Sequence, residues 1–173
     1  TEAPLRQDKG IQYDLPNFVP GLTIGVTKVY GNANSATTGI KKGDGQGFNI
    51  GYSLGGLHAG FTTDSITGGD IFIGTKQIVT NATSDKNKFT TLALSYDLGM
   101  AKPSYSNVKM SVGSQSVQAD MIAISVPMGA ASAFISSSSG KVDLTSTTND
   151  MKVKGMQYGV NYALSKRTVA YWH

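Results

Sequence analysis

Residues 156–164 read Met-Gln-Tyr-Gly-Val-Asn-Tyr-Ala-Leu. Met156, Tyr158, Val160, Tyr162 and Leu164 take every second position, with Gln157, Gly159, Asn161 and Ala163 between them. A period of two places successive side chains on opposite faces of a pleated strand. The stretch is predicted to be a strand with one large apolar face and one small, polar face. The same alternation recurs upstream. Leu22, Ile24, Val26, Lys28 and Tyr30 oppose Thr23, Gly25, Thr27 and Val29. Phe48, Ile50, Tyr52 and Leu54 oppose Asn49, Gly51 and Ser53, while Leu57, Ala59 and Phe61 oppose His58, Gly60 and Thr62. Leu92, Leu94, Tyr96 and Leu98 oppose Thr91, Ala93, Ser95 and Asp97. Val108, Met110 and Val112 oppose Asn107, Lys109 and Ser111, and Ile122, Ile124 and Val126 oppose Met121, Ala123 and Ser125. No segment has helical periodicity, and Gly with β-branched residues disfavours helix here. The chain is predicted to be all-β.

Composition narrows the function. The 173 residues contain no Cys, which removes a disulfide scaffold, a thiolate metal site and a Cys nucleophile. Two His with no His-x-x-x-His pair make a zinc enzyme a poor fit. A net charge of +4 is too mild for a nucleic-acid surface. Gly is abundant, at 21 residues, and only 15% of residues are charged. The length suits a single domain over 1–173, and no leader segment is visible at Thr1, so the chain reads as mature or truncated.

The connections are sorted by length. Short turns are expected at 55–56, 99–101, 129–130 and 165–167, with a longer Pro-bounded turn at 15–21. Long polar loops are expected at 31–45, 67–87 and 140–152, and a tighter connection near 114–118. Tight ends on one side and long ends on the other are the plan of an antiparallel up-and-down transmembrane β-barrel. A soluble sandwich has no reason to sort its loops this way. The polar face also fits a lumen, because it is built from Gly, Ser, Thr, Ala, Asn and Gln rather than the Lys and Glu of a wet soluble sheet. Such small residues leave space, which suits a wide barrel. On the apolar face, Tyr13, Tyr30, Tyr52, Tyr96, Tyr158, Tyr162 and Tyr171 are expected at the lipid–water boundary. Ordinary sheet packing is the alternative reading of these tyrosines. Lys28 interrupts the apolar face near the loop end of its strand, from where it can snorkel.

Three segments carry a family resemblance. Residues 6–20 (RQDKGIQYDLPNFVP), 92–102 (LALSYDLGMAK) and 157–168 (QYGVNYALSKRT) resemble segments of Gram-negative general-diffusion porins of the trimeric, betaproteobacterial type. The string Tyr-x-Leu-Ser-Lys-Arg-Thr at 162–168 is the most specific of them. With the strand order between them, the resemblance covers nearly the whole chain. It implies a barrel of about sixteen strands, a homotrimer in the cell outer membrane and passive diffusion of small hydrophilic solutes. About ten strands are legible here, so the chain reads as an internal-to-late segment, with the constriction loop before it and the terminal strand after it. The resemblance also gives Arg6 a place at the start of a strand that points toward the constriction. A solvated strand end is the other reading of Arg6.

No catalytic constellation and no cofactor motif is present. There is no Gly-x-Ser-x-Gly elbow. Gly43-Asp44-Gly45 and Gly68-Gly69-Asp70 lack the full ligand series of a calcium loop and read as outer-loop turns. His58, on the polar face, reads as a lumen residue rather than a ligand or base. The predicted pore lining is Arg6, Gln12, Thr27, Asn49, Ser53, His58, Thr62, Lys109, Gln157 and Asn161. Fixed positive charge from Arg6 and Lys109 would favour anions. Lys41, Lys42, Lys86, Lys88, Lys152 and Lys154 are placed in or beside long loops, as solvated charge or as partners of surface phosphates. Expected partners are outer-membrane lipid and lipopolysaccharide, small hydrophilic solutes and anions, and two further copies of the chain; nucleic acid is not among them. The competing function is a soluble or surface-exposed β-sandwich acting as a binding or adhesin module.

Overall fold

A computed structural model of the chain describes residues 10–31, 43–68, 71–73, 76–79, 86–113, 115–143 and 151–172. The strands in chain order are β1 (Gly10–Asp14), β2 (Leu22–Val29), β3 (Gly45–Leu54), β4 (Leu57–Thr67), β5 (Ile71–Ile73), β6 (Lys76–Val79), β7 (Lys86–Tyr96), β8 (Lys102–Val112), β9 (Gln115–Met128), β10 (Ala131–Asp143), β11 (Met151–Ser165) and β12 (Thr168–Trp172). Ten of them form one sheet in the order β1-β2-β3-β4-β7-β8-β9-β10-β11-β12. Every neighbour in that sheet is antiparallel and sequential, apart from the β5–β6 hairpin, which pairs only with itself. The expected loop at 67–87 therefore contains a hairpin.

The turns fix the ladder. At 129–130 a two-residue turn needs a positive φ, and Gly129 takes φ 64° without the strain a side chain would bring. At 99–101 the Leu98 N–H donates to the Ala101 carbonyl at 2.9 Å, closing the turn between β7 and β8. At the opposite end, the Gly43 N–H donates to the Thr67 carbonyl and the Gly31 N–H to Asp44 Oδ1, both at 2.7 Å. Asp44 thus clasps its own loop. Strand β10 contains Ser136–Ser139, a run without apolar alternation. It is a strand because β9 and β11 pair with it along almost its whole length.

A sandwich needs a second sheet and a core between the two. Among the described residues the only buried apolar side chains are Val29 and Val112, at 9% and 5% exposure. Large apolar residues stand outside instead, with Ile122 65% and Met156 70% exposed. The sandwich alternative is therefore set aside: the ten-stranded sheet is a single wall with no packed core behind it among the described residues, and its two edge strands are β1 and β12.

Candidate pore wall

Directly paired residues in an antiparallel ladder share a face. One face carries Leu22, Tyr52, Ala59, Leu94, Tyr105, Ile122, Ser137 and Met156 in a single row across eight strands. The row beside it on that face holds Ile124, Ile135 and Tyr158. The other face carries Ser53, His58, Ser95, Ser104, Ala123, Ser136 and Gln157 in one row. A recess of about 490 Å³ opens on this second face, lined by Thr23, Ser53, His58, Ser95, Ser104 and Ser106 among others. The second face is therefore the concave, inner one. Within the recess Ser53 Oγ and His58 Nδ1 lie 2.7 Å apart.

Two carboxylates stand on the inner face of the first four strands. Asp14 shares a row with Gly25, Asn49 and Thr62, and Asp64 shares one with Gln12, Thr27 and Gly47. Glycine makes room for both. A Cβ at Gly25 would lie 2.6 Å from Asp14 Oδ1 and from Asn49 Nδ2, and a Cβ at Gly47 would collide with Asp64 Oδ1. Gln12 Nε2 also donates to Asp14 Oδ1 at 3.0 Å. Parity counted from Leu57, Ala59 and Phe61 was enough to locate Asp64, a signal that the alternation contained. Asp14 follows from the parity of Tyr13 in the same way.

Eight of the residues singled out in the sequence stand on the inner face: Gln12, Thr27, Asn49, Ser53, His58, Thr62, Gln157 and Asn161. Arg6 lies outside the described residues, as do Lys41 and Lys42. Lys109 does not face inward. It pairs with Thr90 and Gln118, on the face of Leu92, Leu94 and Ile122, while Val108, Met110 and Val112 stand inside. Apolarity misled here, because the ladder of β7 and β8 is counted from the turn at 99–101, which sets Leu94 opposite Tyr105. That count also places Tyr105 among the outer aromatics. Tyr171 is a second correction. A bulge between Ala163 and Ser165 shifts the β11–β12 register, so Tyr171 pairs with Asn161 on the inner face and Trp172 takes the outer one. Trp172 meets Tyr158 there, with ring centroids 5.8 Å apart. Tyr13, Tyr52, Tyr96, Tyr158 and Tyr162 stand on the outer face, and Tyr30, just past β2, lies 6.0 Å beneath Lys28 Nζ.

The outer face is not uniform along the strands. Toward the short turns it is apolar. Toward the long loops it becomes polar, with Lys28, Gln46, Ser65, Lys88 and Ser111 in one row. Lys28 is thus part of a polar belt rather than an isolated charge in an apolar face. Lys86, Lys88, Lys152 and Lys154 stand beside the long loops, in the first residues of β7 and β11. On the inner face of β7 to β11 the loop-side half inverts too: Phe89, Met110, Val117, Val142 and Met151 form one apolar row. Among the described residues no group of three His, Asp or Glu is close enough to hold a metal ion.

The family model described as Gram-negative porin matches residues 3–173. The chain belongs to the Gram-negative porin family. No curated protein matches it. Among solved structures, an anion-selective porin from Comamonas acidovorans is similar with a TM-score of 0.72 at 20% identity, over 95% of this chain and 47% of that one. The OmpF of Salmonella typhi, solved in complex with daunomycin, is similar with a TM-score of 0.71 at 14% identity, over 94% of this chain and 52% of that one. The chain thus spans about half the length of these porins. Its ten-stranded up-and-down sheet is a part of a porin barrel, and porins are outer-membrane channels rather than enzymes.

Proposed function

We propose that this porin chain forms about half the wall of a passive, water-filled channel for small hydrophilic solutes and ions. The observation that carries the reading is the sorting of faces on one continuous sheet. Turn-side apolar residues face outward and a row of Ser, His and Gln faces a concave interior. Unpaired strand edges have no place in lipid, so the edges at β1 and β12 are paired in the whole barrel by strands outside this chain. Gln12, Thr27, Asn49, Ser53, His58, Thr62, Gln157 and Asn161 hydrate the passage. Tyr13, Tyr30, Tyr52, Tyr96, Tyr158 and Tyr162 sit at the membrane boundaries. The barrel assembles as a homotrimer among outer-membrane lipid and lipopolysaccharide.

The channel has a modest preference for anions. Arg6 supplies the fixed positive charge, and the similarity to an anion-selective porin supports it. Lys109 contributes nothing, because it stands outside, and Asp14 and Asp64 oppose the preference. Planar-bilayer recording of the full-length protein tests the channel directly: stepwise conductance is expected, and its absence would refute the reading. In a salt gradient, Arg6→Ala is expected to move the reversal potential toward cations, and Asp64→Asn toward anions.

A further inference from the structure

The apolar row on the inner, loop-side face has no part in hydrating a passage. Phe89 of β7, Met110 of β8, Val117 of β9, Val142 of β10 and Met151 of β11 follow one another across the ladder. The next row toward the turns adds Val108, Ala119 and Val153. Val108, Met151 and Val153 are 46%, 58% and 58% exposed. Single apolar residues on a wet face need no explanation, but a contiguous patch with polar groups at its rim marks a surface that binds something.

The row ends in a charge. On β4 its next member is Asp64, the direct partner of Phe89, and beyond Asp64 come Gly47, Thr27 and Gln12. The half-buried Asp64 carboxylate lies over Gly47, in space that a Cβ there would take. Among the described residues no lysine or arginine forms an ion pair with it. Lys28, Lys88 and Lys109, at about the same height, stand on the outer face. A carboxylate and the apolar surface beside it therefore form one continuous strip. From β4 to β9 the strip crosses three strand spacings, roughly 14 Å.

We propose that Asp64, Phe89, Met110 and Val117 form a binding site for an organic ammonium ion with an apolar body. The proposal rests on reading this face as the wall of the passage. The ammonium donates to the Asp64 carboxylate, a charge-assisted bond stronger than one between neutral groups. An aromatic ring beside the carboxylate attracts a cation as well. The body covers Phe89, Met110 and Val117 and removes their apolar surface from water. Methionine adapts its shape to different bodies. An organic anion of the same outline would be repelled by Asp64. A metal ion would find one carboxylate in the strip, and among the described residues no group of three His, Asp or Glu is close enough to hold it. The site thus retains one class of solute in a passage proposed to prefer anions.

Single-channel recording of the full-length porin with 4-phenylbutylammonium tests this. The probe is long enough to reach from Asp64 to Met110, two strand spacings or about 10 Å. Wild type should show reversible current blocks at a concentration about tenfold below that needed with butylammonium, which lacks the ring, or with 4-phenylbutyrate, which carries the opposite charge. Asp64→Asn should raise the half-blocking concentration about tenfold, and Met110→Gln about fivefold. The nearly isosteric Asp64→Asn serves alone if Met110→Gln does not fold. Lys109→Gln, on the other face of β8, should leave the block unchanged. Equal block by the three probes, an unaltered Asp64→Asn variant, or an equal rise in Lys109→Gln would each overturn the proposal. So would a Met110→Gln variant that loses thermal stability yet is blocked like wild type, because another segment of the protein would then cover the row. Conductance before the probe is added reads the channel separately. Normal conductance without block would refute the site alone, whereas absent conductance would refute the pore. In that case calorimetric titration of the same amine into the detergent-solubilised porin reads the site: binding weakened by Asp64→Asn supports it, and no binding overturns it.

Discussion

The turn-side and loop-side halves of this wall use the same strands and obey opposite rules. On the turn side, Leu94, Tyr105, Ile122 and Met156 face out, and Ser95, Ser104, Ser136 and Gln157 face in. On the loop side of β8 to β11, Lys109, Gln118, Lys141 and Lys152 face out, and Met110, Val117, Val142 and Met151 face in. A strand cannot switch faces without a bulge, so the inversion lies in the residues and not in the backbone. In the proposed channel it marks the level at which the outer surroundings cease to be hydrocarbon. Above that level an outward lysine costs little, and an apolar residue gains nothing by facing out.

The largest expected effect comes from moving a charge across this boundary. Ile124→Lys places an ammonium in the turn-side band and should destabilise the folded barrel by about 2–4 kcal/mol. Gln118→Lys, on the same face of the same strand but above the boundary, should cost at most about 1 kcal/mol. Urea unfolding of the full-length protein in vesicles measures both. Equal costs would dissolve the distinction between the halves.

The next effect is a test of facing within the loop-side half. The chain has no cysteine, so introduced thiols within it report without background from it. Val108→Cys should react with a bulky hydrophilic thiol reagent added to the aqueous phase and reduce the current, whereas Lys109→Cys should react and leave the current unchanged. The reverse result would restore the face assignment that apolarity alone predicted.

A smaller effect separates charge inside from charge outside. Asp64→Asn should shift the reversal potential toward anions, while Lys109→Gln should not shift it, since an outer charge is screened from the lumen by the wall and by salt. The smallest effect concerns the seat of Asp64. Gly47→Ala puts a methyl group where the carboxylate lies. It should move Asp64 off the wall and alter single-channel current slightly, with a stability change of no more than about 1 kcal/mol.

Much of the wall was legible from the chain. The alternation in residues 156–164 and its relatives identified strands, and the turns at 55–56 and 129–130 identified hairpins. Parity within each turn-side strand identified the faces, which is why His58, Asn49 and Gln157 were placed inside. Two kinds of residue escaped. Val108 and Lys109 were assigned by hydrophobicity, a rule that holds only where one side of the sheet meets lipid. Tyr171 faces inward because of a bulge in the β11–β12 hairpin that leaves no clear mark in the sequence. The lysine row was hidden for another reason: Lys109, Lys141 and Lys152 are far apart in the chain and become neighbours only across three strands.

The sequence by itself determined that this chain is a β-wall with two chemically distinct faces, because period-two patterning and turn chemistry are local properties. The tertiary structure alone decided which residues share a row, where the faces invert along the strands, and that Lys109 and Tyr171 point the other way. Register is a pairwise property of neighbouring strands, set by turns and bulges together, and one added residue in a single strand reverses every side chain beyond it.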